Sequence, residues 1–304
     1  MLCDLTRYSA PANTPLSIPE DRYPYQTGTQ VSYCSNPTLQ TRFDPYFRGF
    51  DNAFPDYYRE VEWEREFAEY EKNGQLPSLE LVRLMHDHTG NFSTAIDGVN
   101  TVELQQADND YGVGKLIERV AHSRYKNNTL IIILEDDAQD GADHVDGHRS
   151  IVFVAGPYVR HGAVVSNRYT TVNVIRTIED ILATDHLNIH TATQEPMAAV
   201  FDLSQPQWDF KAVPSAYLTN TQLPIPASSY AVYHSIPRPM HDAAYWADKT
   251  KEFDFSIEDH IGNVPKFNRI VWEGLKGSVP YPSQRNGVDL RQNRKGTKEI
   301  ADSR

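Results

Sequence analysis

The stretch from Asn128 to Ala155, NTLIIILEDDAQDGADHVDGHRSIVFVA, constrains this chain more than any other. An apolar, β-branched run, Leu130 to Leu134, passes without a spacer into Glu135, Asp136, Asp137, Asp140, Asp143, His144, Asp146 and His148. A second apolar run, Ile151 to Ala155, closes it. Short all-apolar runs suit strands buried on both faces, as in parallel sheets. Loops at the carboxyl ends of such strands are where α/β folds bind ligands. The stretch therefore predicts a rigid strand that delivers carboxylates and imidazoles to the rim of a sheet.

Like charges packed this closely repel one another and raise each other's pKa. A divalent cation removes the conflict. Carboxylate plus imidazole is a ligand set for zinc, manganese or iron, and with fewer nitrogens for magnesium or calcium. The spacing is not that of an EF-hand calcium loop, because Asp137 and Asp140 are three apart and no helix pattern flanks them. A solvated acidic loop is the plain alternative.

A chain of 304 residues with 39% hydrophobic content can bury a sizeable core, as one large domain or two small ones. Its formal net charge of −12 argues against a nucleic-acid surface, which needs a basic stripe. No apolar run is long enough to span a membrane. The opening MLCDLTRYSAPANTPLS lacks the basic and apolar regions of a signal peptide. Cys3 and Cys34 can pair, but two free thiols is the simpler expectation.

Residues 1–45 read as an irregular segment with a strand near Gln30 to Tyr33. Helices are predicted over Tyr57 to Asn73, ended by Gly74, and over Thr101 to Ser123, with Thr101 as cap. A third covers Tyr169 to Leu182, with Val172, Val174, Ile175, Ile178 and Ile181 as its buried face. Asp108-Asn109-Asp110 reads as a solvated face of the second helix. Leu79 to Met85 reads as another apolar strand, running into His86-Asp87-His88-Thr89-Gly90. Two histidines flanking an aspartate at a strand's end point to a site. Residues 46–204 thus form the main domain, and 205–304 a long, proline-rich segment that packs on it, with short helices over Ala243 to Lys249 and Lys266 to Lys276. Strands alternating with helices imply an α/β fold with a mainly parallel sheet.

HDHTGN, the helix with ADNDYGVG, LIIILEDDAQDGADHVDGHRS and the following GPYVRHG resemble the phosphoesterase family of the alkaline phosphatase superfamily, which includes bacterial acid phosphatases and phospholipases C. The resemblance runs from about Phe47 to at least Phe201, and HDAAYWADKTKEFDF and RIVWEGLKG are similar to the same proteins' C-terminal region. It implies a three-layer αβα sandwich and metal-dependent hydrolysis of phosphate esters, with a divalent ion (Zn, Mn, Ca or Fe) as cofactor. It implies Asp136, Asp137, His148 and His88 as metal ligands, with Asp87, Asp143, His144 and Arg149 either supporting those ligands or facing the substrate. A periplasmic or extracellular setting is implied as well. The chain departs from the family at its front, where the early metal ligand and the Ser or Thr nucleophile have no counterpart. The expectation is therefore the C-terminal half of a phosphoesterase, its N-terminal part missing, inactive or incomplete alone and in need of a partner half. A non-catalytic metal-binding or interaction fragment is the alternative.

Overall fold

Pro55 sets up the first helix, since its missing N–H and fixed φ fit a helix start. The computed structural model describes residues 32, 34, 36–135, 150–258 and 260–281. Helix α1 covers Asp56–Asn73 and ends at Gly74, whose left-handed φ of 70° lets its N–H close on Tyr70. Helix α2 covers Val102–Ala121, with the Thr101 side chain accepting from the Leu104 N–H. α1 and α2 pack against each other. Trp63 and Phe67 of α1 meet Ile117, Val120 and Ala121 of α2 in one core cluster, and Phe54, Tyr58, Leu104, Ala107 and Tyr111 form a second. All three predicted long helices are present, the third as α3, Thr171–Leu182.

The sheet is not the predicted one. Strand β1, Ile131–Leu134, pairs antiparallel with β2, Val152–Ala155, in the register Ile131↔Ala155 to Leu134↔Val152. Among the described residues these two strands are the only sheet, so the mainly parallel, three-layer αβα sandwich is overturned. The reason is topological. Parallel neighbours need a crossover of a dozen or more residues, usually a helix. Here the two runs pair directly with each other, an antiparallel arrangement that needs no such crossover. Their faces are still divided between neighbours: Ile131, Ile133 and Ala155 pack on the α1–α2 cluster, and Ile132 packs with Val174, Met197 and Val200 around α3.

Leu79 to Met85 is a second correction. It forms no strand, and Leu79, Leu81 and Val82 are exposed. Its apolar residues follow no consistent alternation, and its end is fixed instead by polar contacts with α1, described below. On α3 the buried face is Asn173, Val174, Thr177 and Glu179, while Ile181 is 54% exposed. Met197 N–H donates to the Thr177 hydroxyl, so a polar contact stands beside the apolar one in which Val174 and Ile178 pack with Met197 and Val200.

The C-terminal segment enters the core rather than only covering it. Trp208 joins the α1–α2 cluster, and Leu218 and Leu223 join the second cluster. Trp246, on the short helix α5 (Ala243–Lys249; α4 is Ile189–Thr193), is fully buried against Phe92 and Val102. Helix α6, Val264–Lys276, brings Ile270, Val271 and Leu275 to the same place. Cys34 is buried and disulfide-bonded, against the expectation of a free thiol. No described helix is long and apolar enough to cross a membrane.

Gly274 of α6 gives a test of this packing. An added Cβ would run into the Trp246 ring. On propensity alone, glycine to alanine in a helix interior stabilises by about 1 kcal/mol. At this position overpacking reverses the sign, and Gly274→Ala is expected to destabilise by roughly 1–3 kcal/mol in chemical denaturation.

Candidate metal centre

Asp136, Asp137, Asp143, His144, His148 and Arg149 lie outside the described residues, so the structure neither joins them to His88 nor separates them. The described ends of that segment do meet. The Glu135 N–H donates to the Ile151 carbonyl at 3.1 Å, and the Ser150 hydroxyl donates to the Glu135 carbonyl. His88 is 9% exposed and packs edge-on to Phe50. Its Nε2 lies 3.7 Å from Asp87 Oδ2 and 4.0 Å from Glu258 Oε1. Glu258 comes from the C-terminal segment and is held by Arg83, whose Nη1 donates to Oε2 at 2.9 Å. Nothing in the sequence pairs Glu258 with His88, because the partners are 170 residues apart.

Among the described residues, the densest ionisable group lies elsewhere, in residues the sequence did not single out together. Asp56, His86 and Asp108 are fully buried, and each offers a ligand atom within 4.8 Å of the others, a grouping that can hold a metal ion. Asp56 sits in the first turn of α1, Asp108 in α2, and His86 at the end of the extended segment. The expectation that Asp108 lies on a solvated face is thereby corrected. Its Oδ2 accepts from the Asp56 N–H at 2.6 Å and its Oδ1 from the Tyr57 N–H at 3.0 Å. Pro55 cannot cap α1, so the α2 carboxylate does so, placing an anion on the positive end of the helix.

Every acceptor in the group is used. Asp56 Oδ1 accepts from the Met85 N–H at 2.9 Å and from Arg59 Nη1 at 2.8 Å. Asp56 Oδ2 accepts from the His86 N–H at 2.8 Å and Asn109 Nδ2 at 3.0 Å. Arg59 spends its remaining donors on the carbonyls of Arg48, Gly49, Asp51 and Phe54. His86 faces acceptors on both sides, Asp108 Oδ2 at 2.7 Å from Nδ1 and the Asn52 carbonyl at 3.0 Å from Nε2. Both ring nitrogens therefore donate, and the ring is an imidazolium. Two carboxylates face two cations, and the group is close to neutral.

The pKa shifts agree. Burial alone would push Asp56 up, but the Arg59 and His86 charges and the Met85 and His86 N–H groups hold it below the ordinary carboxylate value. Burial opposes the charge on His86, yet the Asp108 hydrogen bond and the Asp56 and Asp108 charges raise it above its ordinary value. Burial also pushes Asp108 up, against the pull of His86. Both partners of that one hydrogen bond thus favour holding a proton; we place it on His86, whose second nitrogen also needs one. The spacing admits an ion, but the donor set does not suit one. A cation would have to displace the ring proton and the Arg59 contact together. The arrangement works as a buried polar fastener between α1, α2 and residues 85–90. Gln105 and Gln106 extend it. Gln105 bonds both the N–H and the carbonyl of Gly90, and Gln106 Nε2 donates to the carbonyls of His86 and Asp87.

Compared with known protein families, with curated proteins and with solved structures, the chain matches none.

Breaking a buried ion pair by removing one partner costs about 3–5 kcal/mol, so Asp108→Asn and His86→Ala are each expected to lower stability by that order. The pH dependence has a definite sign. A raised histidine pKa contributes stability that is complete below the ordinary value of 6.5 and is lost as pH rises through the folded value. Glu60 and Glu62, pushed up to about 7 by burial, add a loss in the same direction between 4.5 and 7. The urea midpoint is therefore expected to fall from pH 5 to pH 8. In His86→Gln the part of that fall above pH 7 is expected to shrink; an unchanged slope there refutes the imidazolium.

Proposed function

We propose that this chain binds a divalent metal ion through Asp136, Asp137, His148 and His88, and that the bound ion serves hydrolysis of phosphate esters, the hydrolase chemistry its motifs resemble. One observation supports the reading beyond the motifs. The β1–β2 stem holds both ends of the acidic segment at one point, with Glu135 and Ser150 in contact. The run that carries the carboxylates and imidazoles is thus held at its two ends. Their mutual repulsion favours a counter-ion. His88 brings a largely buried imidazole with two carboxylates at its Nε2, and Asp87 and Glu258 take positioning roles there.

A bound ion would polarise a phosphoryl oxygen and lower the pKa of an attacking hydroxyl or water. The chain's own residues would hold the ion, with Arg149, Asp143 and His144 on the substrate side. The motifs that carry the resemblance include no counterpart of the Ser or Thr nucleophile in its usual strand context. The proposal therefore assigns this chain metal and phosphate binding, with little turnover by itself. A non-catalytic metal-binding fragment shares the first property and lacks the second.

Isothermal titration with Mn²⁺ and Zn²⁺ separates these readings. The chain is expected to take up one ion, and the double variant Asp136→Asn, Asp137→Asn to bind at least tenfold more weakly. Asp248→Asn, which changes an exposed carboxylate of α5, is expected to leave ion affinity unchanged. The metal-loaded chain is expected to bind inorganic phosphate where the metal-free chain does not. Absence of metal uptake overturns the proposal, and uptake without phosphate binding reduces it to the fragment reading.

A further inference from the structure

β2 pairs with β1 on one side and, among the described residues, with no backbone on the other. The ladder fixes which groups point outward. Glu135 and Ile151 are a hydrogen-bonded pair, so in the same register Ile133–Phe153 and Ile131–Ala155 are too. The N–H and C=O groups of Val152 and Val154 therefore face away from β1. Natural edges are blunted with charge, proline or a bulge. From Ile151 to Ala155 there is neither charge nor proline, and the register runs without a bulge. The side chains there are exposed and apolar: Ile151 57%, Phe153 61%, Val152 40%, with Leu134 beside them at 37%.

We propose that this edge is a self-pairing surface, on which two copies of the chain join β2 to β2 antiparallel about a two-fold axis, making a four-stranded sheet. Two observations select a second copy, and a third sets the sense of the join. The edge is self-complementary, since Val152 and Val154 present a donor and an acceptor each, as an isologous contact requires. The stretches of this chain outside the described residues, 1–31, 136–149 and 282–304, contain no uncharged apolar run of strand length to cover it. Charge favours the antiparallel sense. The acidic segment joins β2 at its Val152 end, so a two-fold antiparallel join sends the two acidic segments to opposite ends of the sheet. A parallel join would place them side by side in a chain whose net charge is already −12. This inference stands apart from the phosphoesterase reading, because it uses the strand edge and not the metal.

Sedimentation equilibrium on the full chain tests it. The chain, 34.6 kDa, is expected to sediment at twice that mass. Val152→Pro removes an outward N–H while leaving the pairing with β1 intact, as proline is tolerated on an outer edge. It is expected to return the mass to that of one chain with an unchanged circular dichroism spectrum. Phe153→Lys acts through charge on the exposed face and guards against misfolding of the proline variant; it is expected to give the same result. A monomeric wild-type chain at about 100 μM overturns the proposal, even if its apolar edge proves to bind some other strand. So does a dimer that survives both substitutions.

Discussion

The Asp56 carboxylate accepts four hydrogen bonds, and much of the fold depends on their being made together. Its partners lie in α1 (Arg59), in α2 (Asn109) and in the segment entering His86. Its own N–H is bound by Asp108, which is bound in turn by His86. Desolvating these charges is costly, and the cost is offset only because each has partners of opposite sign and good geometry. The group does not add stability as an apolar core would. It sets position: α1 begins where Asp108 can cap it, and residues 85–90 lie where Gln105, Gln106 and Asp56 can hold them. His88 reaches its place by that route.

The helices were legible because their signals are local. Thr101 caps, Gly74 stops, and apolar residues recur at helical spacing on α1 and α2. The strands were legible as strands, since the runs Leu130 to Leu134 and Ile151 to Ala155 are apolar and β-branched. Their pairing is antiparallel and not the parallel one their composition suggests. An all-apolar run records burial on two faces, and the hairpin achieves much of that at β1, with α1 and α2 on one face and α3 on the other. It does not record which neighbour the strand has.

The fastener was not legible because its charges are far apart in sequence. Asp108 follows an ordinary rule for acidic residues on helices, which is to face water. Only the arrival of the α1 N-terminus and His86 makes its burial tolerable. Leu79 to Met85 differs for a related reason: its apolar content reads as a strand, whereas the segment is anchored by polar contacts at its end and leaves Leu81 65% exposed. The HDH pattern singles out His88 as a candidate, whereas Glu258, which faces it, has no sequence signal.

The placement of Trp208, Leu218 and Trp246 bears on how the molecule is made. These side chains complete cores begun by residues 47–125. On a ribosome the early helices emerge long before their lids do. Contacts of such sequence separation close slowly. Until the last of these tryptophans has left the exit tunnel, the nascent polypeptide carries unfinished apolar surface, and it is in that interval that a chaperone has something to hold.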